Sequence, residues 1–343
     1  MKDALTGIVG NDALRRRLGN DILAGTLPHA AVLEGPRGTG KHTIARMVAA
    51  ALICEKKNDP SLPIPCLGCP ACRKLLEGKS PDLITVGCEG KATIGVETVR
   101  FLREDVHIVP NDSESKVYII EEADKMTVQA QNALLLTLEE PPAYVRFFLL
   151  CENSGVLLET IRSRAPVHRT EPIPIEEIDR YLCAHDRRAA QMKLADPRGY
   201  AELLIASEMG IGRALEFLEP KVWNPVKQVR ALAAELISAA VRREGPRAIL
   251  PLLSRFSTKR ELLREQLQTA SDAVRDLILL KKSDDAPLCF YPDREEAIDL
   301  CDRASLPFLY ELCEAIRKAI EENGRNANVR LMLTKLALSA HLI

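Results

Sequence analysis

The stretch AAVLEGPRGTGKHTIARMV, residues 30–48, decides the fold of the first half of the chain. Its apolar start is typical of a buried strand, and the apolar spacing in its second half predicts a helix. Between them, glycines let backbone N–H groups curl around phosphate oxygens, and Lys41 adds a positive charge where the helix begins. This order predicts a phosphate-binding loop; the alternative is a strand-to-helix turn without a ligand. The residues that we expect to bind phosphate are Gly35, Gly38, Gly40, Lys41, His42 and Thr43.

Short apolar runs alternate with helical stretches on either side of this loop. Such an alternation predicts a parallel sheet covered by helices on both faces, which makes the first half an α/β domain. The predicted strands are 30–33, 83–86, 117–120 and 146–150, and the clearest predicted helices are 41–53 and 127–138.

Beyond the proline-punctuated segment TEPIP, residues 170–174, the strand signals stop. Apolar residues recur there at three- and four-residue spacing, which predicts helices, and a second proline-containing break falls at 219–225. We therefore predict an α/β domain at 1–169, a small helical domain at 170–222 and a larger all-α domain at 223–343. Because the last domain shows no catalytic cluster, we expect its helices to pack against other subunits in an oligomer. The alternative is that these helices form only an ordinary intramolecular core.

The overall charge argues against a strong attraction of the whole chain to nucleic acid. Among 343 residues, 47 basic and 48 acidic side chains give a net charge of −1, and aromatic residues make up 4%. Contact with nucleic acid would then depend on a local patch or on neighbouring subunits. The first residues do not resemble an export signal, and there is no apolar run of about 18 residues. We therefore expect a cytoplasmic protein without a membrane segment.

Four of the ten cysteines follow the pattern C-x11-C-x2-C-x2-C. Two-residue gaps allow successive thiolates to converge on a tetrahedral Zn²⁺, and a four-cysteine site leaves no position open for water. We therefore predict a structural zinc site; free or disulfide-linked thiols are the alternative. The other six cysteines are expected to be small core residues. The predicted ligands, in a module at about 54–72, are Cys54, Cys66, Cys69 and Cys72.

Acidic residues follow the strand predicted at 117–120, where a nucleotide-hydrolysing protein holds its metal and its attacking water. Glu121 stands where an aspartate would bind the metal, and Glu122 retains the group that would polarise water. His42 stands where a serine or threonine hydroxyl would bind Mg²⁺, and imidazole is a poorer ligand for a hard cation. Thr43 points about 100° away around the helix, so it is not an obvious substitute. A solvated acidic turn is the alternative interpretation of the two carboxylates.

Several further stretches point to one family. They are LPHA at 27–30, SPD at 80–82, NALLLTLEEPP at 132–142, TIRSRA at 160–165 and NANVRL at 326–331. With these motifs, the phosphate loop and the cysteine module, the chain resembles the clamp-loader subunits of bacterial DNA polymerase III, which are AAA+ proteins. Leu136 stands where the family usually has lysine, and Ala165 replaces the cysteine of its Ser-Arg-Cys motif. The resemblance spans essentially the whole chain and implies an AAA+ domain, a helical lid and a C-terminal collar.

Within that family, motor subunits hydrolyse ATP, whereas the delta prime branch typically does not and presents an arginine to a neighbour. The resemblance favours the delta prime branch, because the sequence departs from a motor at several positions of one site. It implies that Arg164 is an arginine finger offered in trans, that Ser163 orients it, and that Glu122 is a remnant of the motor's catalytic pair. The departures from a motor are His42, Glu121, Cys151, Glu152 and Gly212.

The resemblance also implies a role in loading the sliding clamp on primed DNA during replication. The implied partners are gamma/tau-type motor subunits, the delta subunit, the sliding clamp and primer-template DNA. We expect structural Zn²⁺ as a cofactor, ATP or ADP bound weakly or not at all, and little or no ATPase activity of the chain itself. The alternatives are a gamma/tau-type motor, since Lys41 and the loop glycines are retained, and a zinc-stabilised adaptor with no role in nucleotide chemistry.

Overall fold

The computed structural model describes residues 4–88, 90–325 and 327–339. Asn326, with which the NANVRL motif begins, lies outside the described residues. The chain divides into two units: one extends to Glu177 and includes Gly210–Gly212, and the other comprises Ile178–Met209 and the residues from Arg213 onward. The division into three domains at 169/170 and 222/223 stays a prediction.

The first unit contains a single parallel sheet of five strands. Its strand order is β2-β3-β4-β1-β5, so β1 and β4 lie in the interior of the sheet. The predicted parallel α/β arrangement and all four predicted strands are confirmed. The elements, in chain order, are α1 (Asp12–Ala24), β1 (Ala30–Glu34), α2 (Lys41–Ile53), α3 (Pro70–Leu76), β2 (Leu83–Val86), α4 (Val96–Asp105), β3 (Lys116–Ile120), α5 (Val128–Glu139), β4 (Val145–Cys151), α6 (Glu159–Arg162) and β5 (Val167–Arg169).

Helices cover both faces of this sheet, which explains why its strands are apolar without alternation. Ala31 and Leu33 of β1 belong to a core that includes buried residues of α1 and α2. Ala30 and Val32 of the same strand face the opposite core, with buried residues of α4 and α5. Because successive side chains of a strand point to opposite faces, both sets must be apolar.

The fifth strand and the start of α5 differ from the sequence prediction. β5 has only three residues, of which His168 and Arg169 are polar, and it pairs with β1 alone at the edge of the sheet. Such a strand carries almost no hydrophobic signal. Helix α5 begins at Val128 because Thr127 is its N-cap, with the hydroxyl accepting a hydrogen bond from Ala130 N–H at 3.2 Å.

Helices alone follow β5 in the described part of the chain, as the spacing of apolar residues predicts. No described helix is both long and apolar enough to cross a membrane. These helices are α7 (Ile175–His185), α8 (Arg187–Ala195), α9 (Pro197–Ala206), α10 (Ile211–Phe217), α11 (Pro220–Val241), α12 (Pro246–Ser254), α13 (Arg260–Leu280), α14 (Arg294–Arg303), α15 (Leu306–Gly324) and α16 (Val329–Ser339).

The proline-containing break expected at 219–225 is mostly helical, so the boundary between α10 and α11 is narrower than the predicted break. Helix α11 begins at Pro220 and continues through Pro225. A proline fits the first turn because the N–H that it lacks has no partner within the helix there. Trp223 is buried, and its ring lies 5.3 Å from that of Phe217. Packing of this indole extends the helix where composition alone indicates a break.

The C-terminal helices share one apolar core. Buried residues of α11, α13, α14, α15 and α16 belong to a single cluster. In α15, Leu309, Leu312 and Ile316 lie on the buried face, while Tyr310 is 45% exposed. This amphipathic pattern accounts for the helix that the sequence indicates near 306–320.

Candidate nucleotide site and metal centre

The phosphate loop, residues 35–43, runs from the end of β1 into the first turn of α2. Gly38 and Gly40 have φ angles of 84° and 87°, in the left-handed region that glycine adopts without a steric penalty. A Cβ atom on Gly35 would lie 2.0 Å from Thr170 Oγ1, so the first position of the loop has no room for a side chain. Gly38 and Gly40 are therefore required for their backbone conformation, and Gly35 is required because a side chain would not fit.

Three polar side chains that are not among the expected phosphate-binding residues hold this loop in place. The buried Thr39 donates from Oγ1 to the carbonyl of Pro36 at 2.8 Å, and its Oγ1 lies 2.8 Å from that of Thr170. Asn11 donates from Nδ2 to the carbonyl of Thr39 at 3.4 Å, and its Oδ1 accepts a hydrogen bond from Glu171 N–H at 2.6 Å. The loop is thus fixed to the residue before α1 and to the segment after β5.

Lys41 folds its side chain over the phosphate loop. Its Nζ donates to the carbonyls of Gly35 and Pro36 at 2.6 and 2.7 Å. Burial lowers the pKa of Lys41, and the nearby carboxylates of Glu152 and Asp124 oppose that shift. Because Lys41 is also the first residue of α2, the helix dipole adds positive potential at the same place. The loop, the dipole and the ammonium together can bind an anion.

His42 and Glu121, the two departures at the expected metal position, contact each other. His42 Nε2 lies 3.1 Å from Glu121 Oε1, and each side chain is 42% exposed. Burial lowers the pKa of His42, Glu121 opposes that shift, and Arg46 adds to it. The N–H of Glu121 donates to the carbonyl of Val86 at 2.8 Å, which fixes the end of β3 against β2. We call these two side chains the His42–Glu121 pair.

These residues do not fit a magnesium ion. Mg²⁺ requires oxygen ligands in near-octahedral geometry, whereas His42 offers a nitrogen that is already within hydrogen-bond distance of the Glu121 carboxylate. Thr43, the neighbouring hydroxyl, is exposed. The weak binding of a metal nucleotide at this site stays a prediction.

The second acidic residue at the end of β3 also has a partner. Glu122, with a φ of 51°, accepts a hydrogen bond from Lys125 Nζ at 2.6 Å. This hydrogen bond lowers the pKa of the Glu122 carboxyl, and a hydrogen bond from Cys88 acts in the same direction. The carboxylate is about half exposed, so the pair with Lys125 can exchange with water.

Two further positions at which the sequence departs from the expected motor pattern are Cys151 and Gly212. Cys151 ends β4 and is 1% exposed, and burial raises the pKa of its thiol to about 12. The N–H of Gly212 lies 3.4 Å from the carbonyl of Gly38. Arg213 donates to Glu208 at 2.7 Å and lies over the ring of Phe217. A neutral thiol and a glycine thus occupy positions for which the resemblance implies polar or charged groups in a motor, so the role of these positions stays a prediction.

Arg164 lies directly after the short helix α6 and is held at the surface. Its Nη2 donates to Glu139 Oε1 at 2.7 Å, and its Nη1 donates to the carbonyl of Thr160 at 3.1 Å. The Ser163 hydroxyl donates to the same carbonyl at 3.0 Å and lies 3.4 Å from Arg164 Nη1. The Arg164 side chain is 35% exposed. Ser163 and Arg164 therefore share one backbone acceptor, with the guanidinium accessible from outside.

The four cysteines of the predicted zinc module converge. Their four Sγ atoms all lie within 4.8 Å of one another. The Cys66 Sγ accepts a hydrogen bond from Cys69 N–H, and the Cys69 Sγ accepts one from Cys72 N–H, both at 3.4 Å. Although burial raises the pKa of Cys66, backbone hydrogen bonds from Gly68 and Cys69 lower it to about 7. Four converging soft sulfur donors, of which Cys66 and Cys69 accept backbone N–H hydrogen bonds, fit Zn²⁺.

The remaining cysteines only partly match the expectation of core residues. Cys88, Cys151 and Cys301 are buried, as expected. Three others are half-buried, which corrects the prediction for them; they are Cys183, Cys289 and Cys313. Cys183 and Cys313 lie in α7 and α15, whereas Cys289 lies in the loop between α13 and α14.

Known proteins resemble the chain over both of its halves. Residues 10–174 match the family model described as DNA polymerase III, delta subunit. DNA polymerase III subunit tau of Escherichia coli (strain K12) is 34% identical over 257 residues, which cover 71% of this chain and 39% of that relative. The tau subunit of Bacillus subtilis (strain 168) is 28% identical over 330 residues, covering 92% of this chain and 57% of the relative. The chain thus covers less than two thirds of either relative.

A solved structure matches along nearly the whole chain. It is a DNA polymerase III gamma subunit-related protein from Thermotoga maritima MSB8, 18% identical, with a TM-score of 0.49, covering 96% of this chain and 99% of that one.

The fold and the site define a class, a parallel α/β domain with a glycine-rich phosphate loop followed by helices. Within that class, the chain is similar to subunits of DNA polymerase III, to the delta-subunit family model over residues 10–174 and to the two tau subunits over 71% and 92% of its length.

Proposed function

We propose that the chain is a delta prime-type subunit of a DNA polymerase III clamp loader, which takes part in loading the sliding clamp on primed DNA. The observation that carries the proposal is the His42–Glu121 pair, which stands where a motor subunit would hold Mg²⁺. An ATPase needs that cation to neutralise charge on the transferred phosphoryl group. A chain with this pair is therefore better suited to assist a neighbouring ATP site than to hydrolyse ATP itself.

In this proposal Arg164 acts in trans as an arginine finger. The Arg164–Glu139 ion pair is partly exposed, and such pairs contribute about 0–1 kcal/mol, so the guanidinium can leave Glu139 for a more strongly charged partner. A neighbour's γ-phosphate is such a partner, and Ser163 would orient the side chain through the shared carbonyl of Thr160. Arginine fingers in related phosphoryl transfers accelerate the reaction by about 10³ to 10⁵.

The test is ATP turnover by a reconstituted clamp loader that contains Arg164→Ala. We expect DNA- and clamp-stimulated turnover to fall by at least about tenfold, because the charge at the receiving site is lost. Arg162→Ala is the matched control, since it removes the same charge from an exposed position two residues away. Unchanged turnover with Arg164→Ala, or an equal loss with Arg162→Ala, would contradict the proposal.

The cysteine cluster is proposed to hold one structural Zn²⁺ through Cys54, Cys66, Cys69 and Cys72. Four protein thiolates complete the tetrahedral shell, so this metal would stabilise the fold and would have no part in catalysis. The convergence of the thiols within 4.8 Å supports the proposal.

The proposed partners are the gamma/tau-type motor subunits, the delta subunit, the sliding clamp and primer-template DNA. The C-terminal helices would form the collar in which the subunits assemble, and residues 170–222 would be the lid. Because the chain has a net charge of −1, attraction to DNA would come from local patches or from partner subunits. We place the assembly in the cytoplasm.

A gamma/tau-type motor remains the second candidate function, and the preserved loop favours it. Gly38 and Gly40 keep their left-handed backbone, and Lys41 points over the loop. The two functions differ in what the isolated chain does: a motor would bind Mg·ATP and turn it over, whereas the delta prime-type subunit would not turn it over. Steady-state ATP hydrolysis by the isolated chain separates them.

A further inference from the structure

The end of β3 and the start of α2 bring an imidazole and a carboxylate together at the position where a phosphate-binding fold holds its cation. His42 follows the loop lysine, and Glu121 follows the last residue of β3. Their closest atoms, Nε2 and Oε1, are 3.1 Å apart. Serine or threonine and aspartate at these two positions would leave a gap between their oxygens for a cation, because both side chains are shorter. The longer glutamate and the imidazole close that gap by touching directly.

The nearby carboxylate is occupied as well. Glu122 accepts a hydrogen bond from Lys125 Nζ at 2.6 Å. Each of the two carboxylates at the end of β3 therefore already has a cationic or hydrogen-bonding partner within this chain. A divalent ion would have to displace His42 from Glu121, and it would receive a nitrogen ligand in place of the oxygen that a hard cation prefers.

The anion-binding part of the site does not depend on these residues. The loop is held by Asn11, Thr39 and Thr170, all of them outside the pair. The backbone N–H groups of the loop and Lys41 bind phosphate by hydrogen bonds and charge, for which no metal is required. Within the phosphate loop and the first turn of α2, the change from a motor is thus confined to the cation position, His42.

We propose that the His42–Glu121 pair takes the place of the divalent cation, so that the nucleotide affinity of this chain is independent of Mg²⁺. The inference deepens the proposed function and rests on it in one respect, namely that the phosphate loop is a nucleotide site. It also predicts that a hydroxyl at position 42 and an aspartate at position 121 create a magnesium-dependent site, because the rest of the loop is in place.

The experiment compares the full-length chain with the double variant His42→Thr/Glu121→Asp. The affinity for ADP is measured by isothermal titration calorimetry with Mg²⁺ and in buffer without added divalent cation, with no chelator present so that the proposed zinc site stays intact. Bound Mn²⁺ is measured by electron paramagnetic resonance in the presence of ADP. We expect the unaltered chain to bind ADP with the same affinity in both solutions and to bind no Mn²⁺. The double variant should bind ADP at least about tenfold more tightly with Mg²⁺ than without it, a difference of about 1.4 kcal/mol.

Two results would overturn the inference. One is an increase in ADP affinity with Mg²⁺, or ADP-dependent Mn²⁺ binding, in the unaltered chain. The other is a double variant that has the circular dichroism spectrum of the parent and gains no dependence on Mg²⁺. If the double variant does not fold, the Mn²⁺ measurement on the unaltered chain decides alone. A failure of the proposed function would instead be seen in the Arg164→Ala turnover assay, where this chain's own nucleotide site is not changed.

Discussion

Asn11 shows how a residue outside the phosphate loop determines the conformation of that loop. Its side chain is buried, and both ends of its amide are engaged, one with the carbonyl of Thr39 and the other with the N–H of Glu171. Its φ of 54° lies in the left-handed region, which asparagine tolerates better than most residues. No other uncharged side chain of similar size supplies a donor and an acceptor in this geometry except that of glutamine, which is one methylene longer.

We predict that Asn11→Ala destabilises the first unit by about 1–3 kcal/mol, because Glu171 N–H and the Thr39 carbonyl lose partners in a buried setting. Urea unfolding followed by circular dichroism would measure the loss. The matched control is Asn58→Ala, at an exposed position of the same residue type, which should be close to neutral. Equal stability of the two variants would contradict the role assigned to Asn11.

At this scale, sequence reasoning finds the groups that carry chemistry better than it finds their partners. Lys41, His42 and Glu121 can be selected from motifs, since a phosphate loop and an acidic strand end have local patterns. The contact of His42 with Glu121 and the hydrogen bond from Asn11 to Thr39 join residues far apart in the chain. No spacing rule encodes them, because they arise only when the sheet and its helices are assembled.

The cysteine module is the element whose stability depends most on a ligand. It connects the end of α2 with α3: Cys54, Cys66 and Cys69 lie in the loop between the two helices, and Cys72 lies in the first turn of α3. Within α3, Cys69 is the N-cap and accepts from Cys72 N–H through its sulfur. Capping and proposed metal binding thus involve the same sulfur atom, so loss of that sulfur should affect both the helix and the site.

We predict that the purified chain contains about one zinc per molecule and that Cys69→Ser lowers both the zinc content and the thermal midpoint of unfolding. Inductively coupled plasma mass spectrometry and calorimetry would measure the two quantities. Cys313→Ser is the control, because Cys313 is half-buried in α15, outside the cluster, and should leave the zinc content unchanged. A carefully purified chain without zinc, or a Cys69→Ser variant with full zinc content, would rule out the site.

Elements with strong periodicity could be predicted, and those that depend on tertiary packing could not. Helix α2 occupies the predicted range 41–53, since a glycine-rich loop precedes it and apolar residues follow at helical spacing. Strand β5 cannot be predicted from the sequence, because its three residues form a strand only through their pairing with β1. Helix α11 continues through Pro225 because Trp223 is buried, an effect that composition cannot reveal.

For the whole molecule, the small net charge of −1 is consistent with the proposed subunit that acts on a neighbour. A single arginine, Arg164, would deliver charge to another subunit's phosphate site, and this requires a local group and no extended basic field. The chain's 47 basic and 48 acidic residues form many ion pairs at the surface, which supply solubility and little stability. In the proposed assembly, long-range attraction to DNA would then come from local patches or from partner subunits.

The central claim is that this chain donates to a neighbouring ATP site and does not operate one of its own. The most direct measurement compares Lys41→Ala with Arg164→Ala, each reconstituted in the complete clamp loader, by DNA- and clamp-stimulated ATP turnover. We predict that Lys41→Ala leaves turnover unchanged within error, because the site behind Lys41 hydrolyses no ATP, while Arg164→Ala lowers it by at least about tenfold. A loss with Lys41→Ala as large as that with Arg164→Ala would contradict the account and identify the chain as a motor.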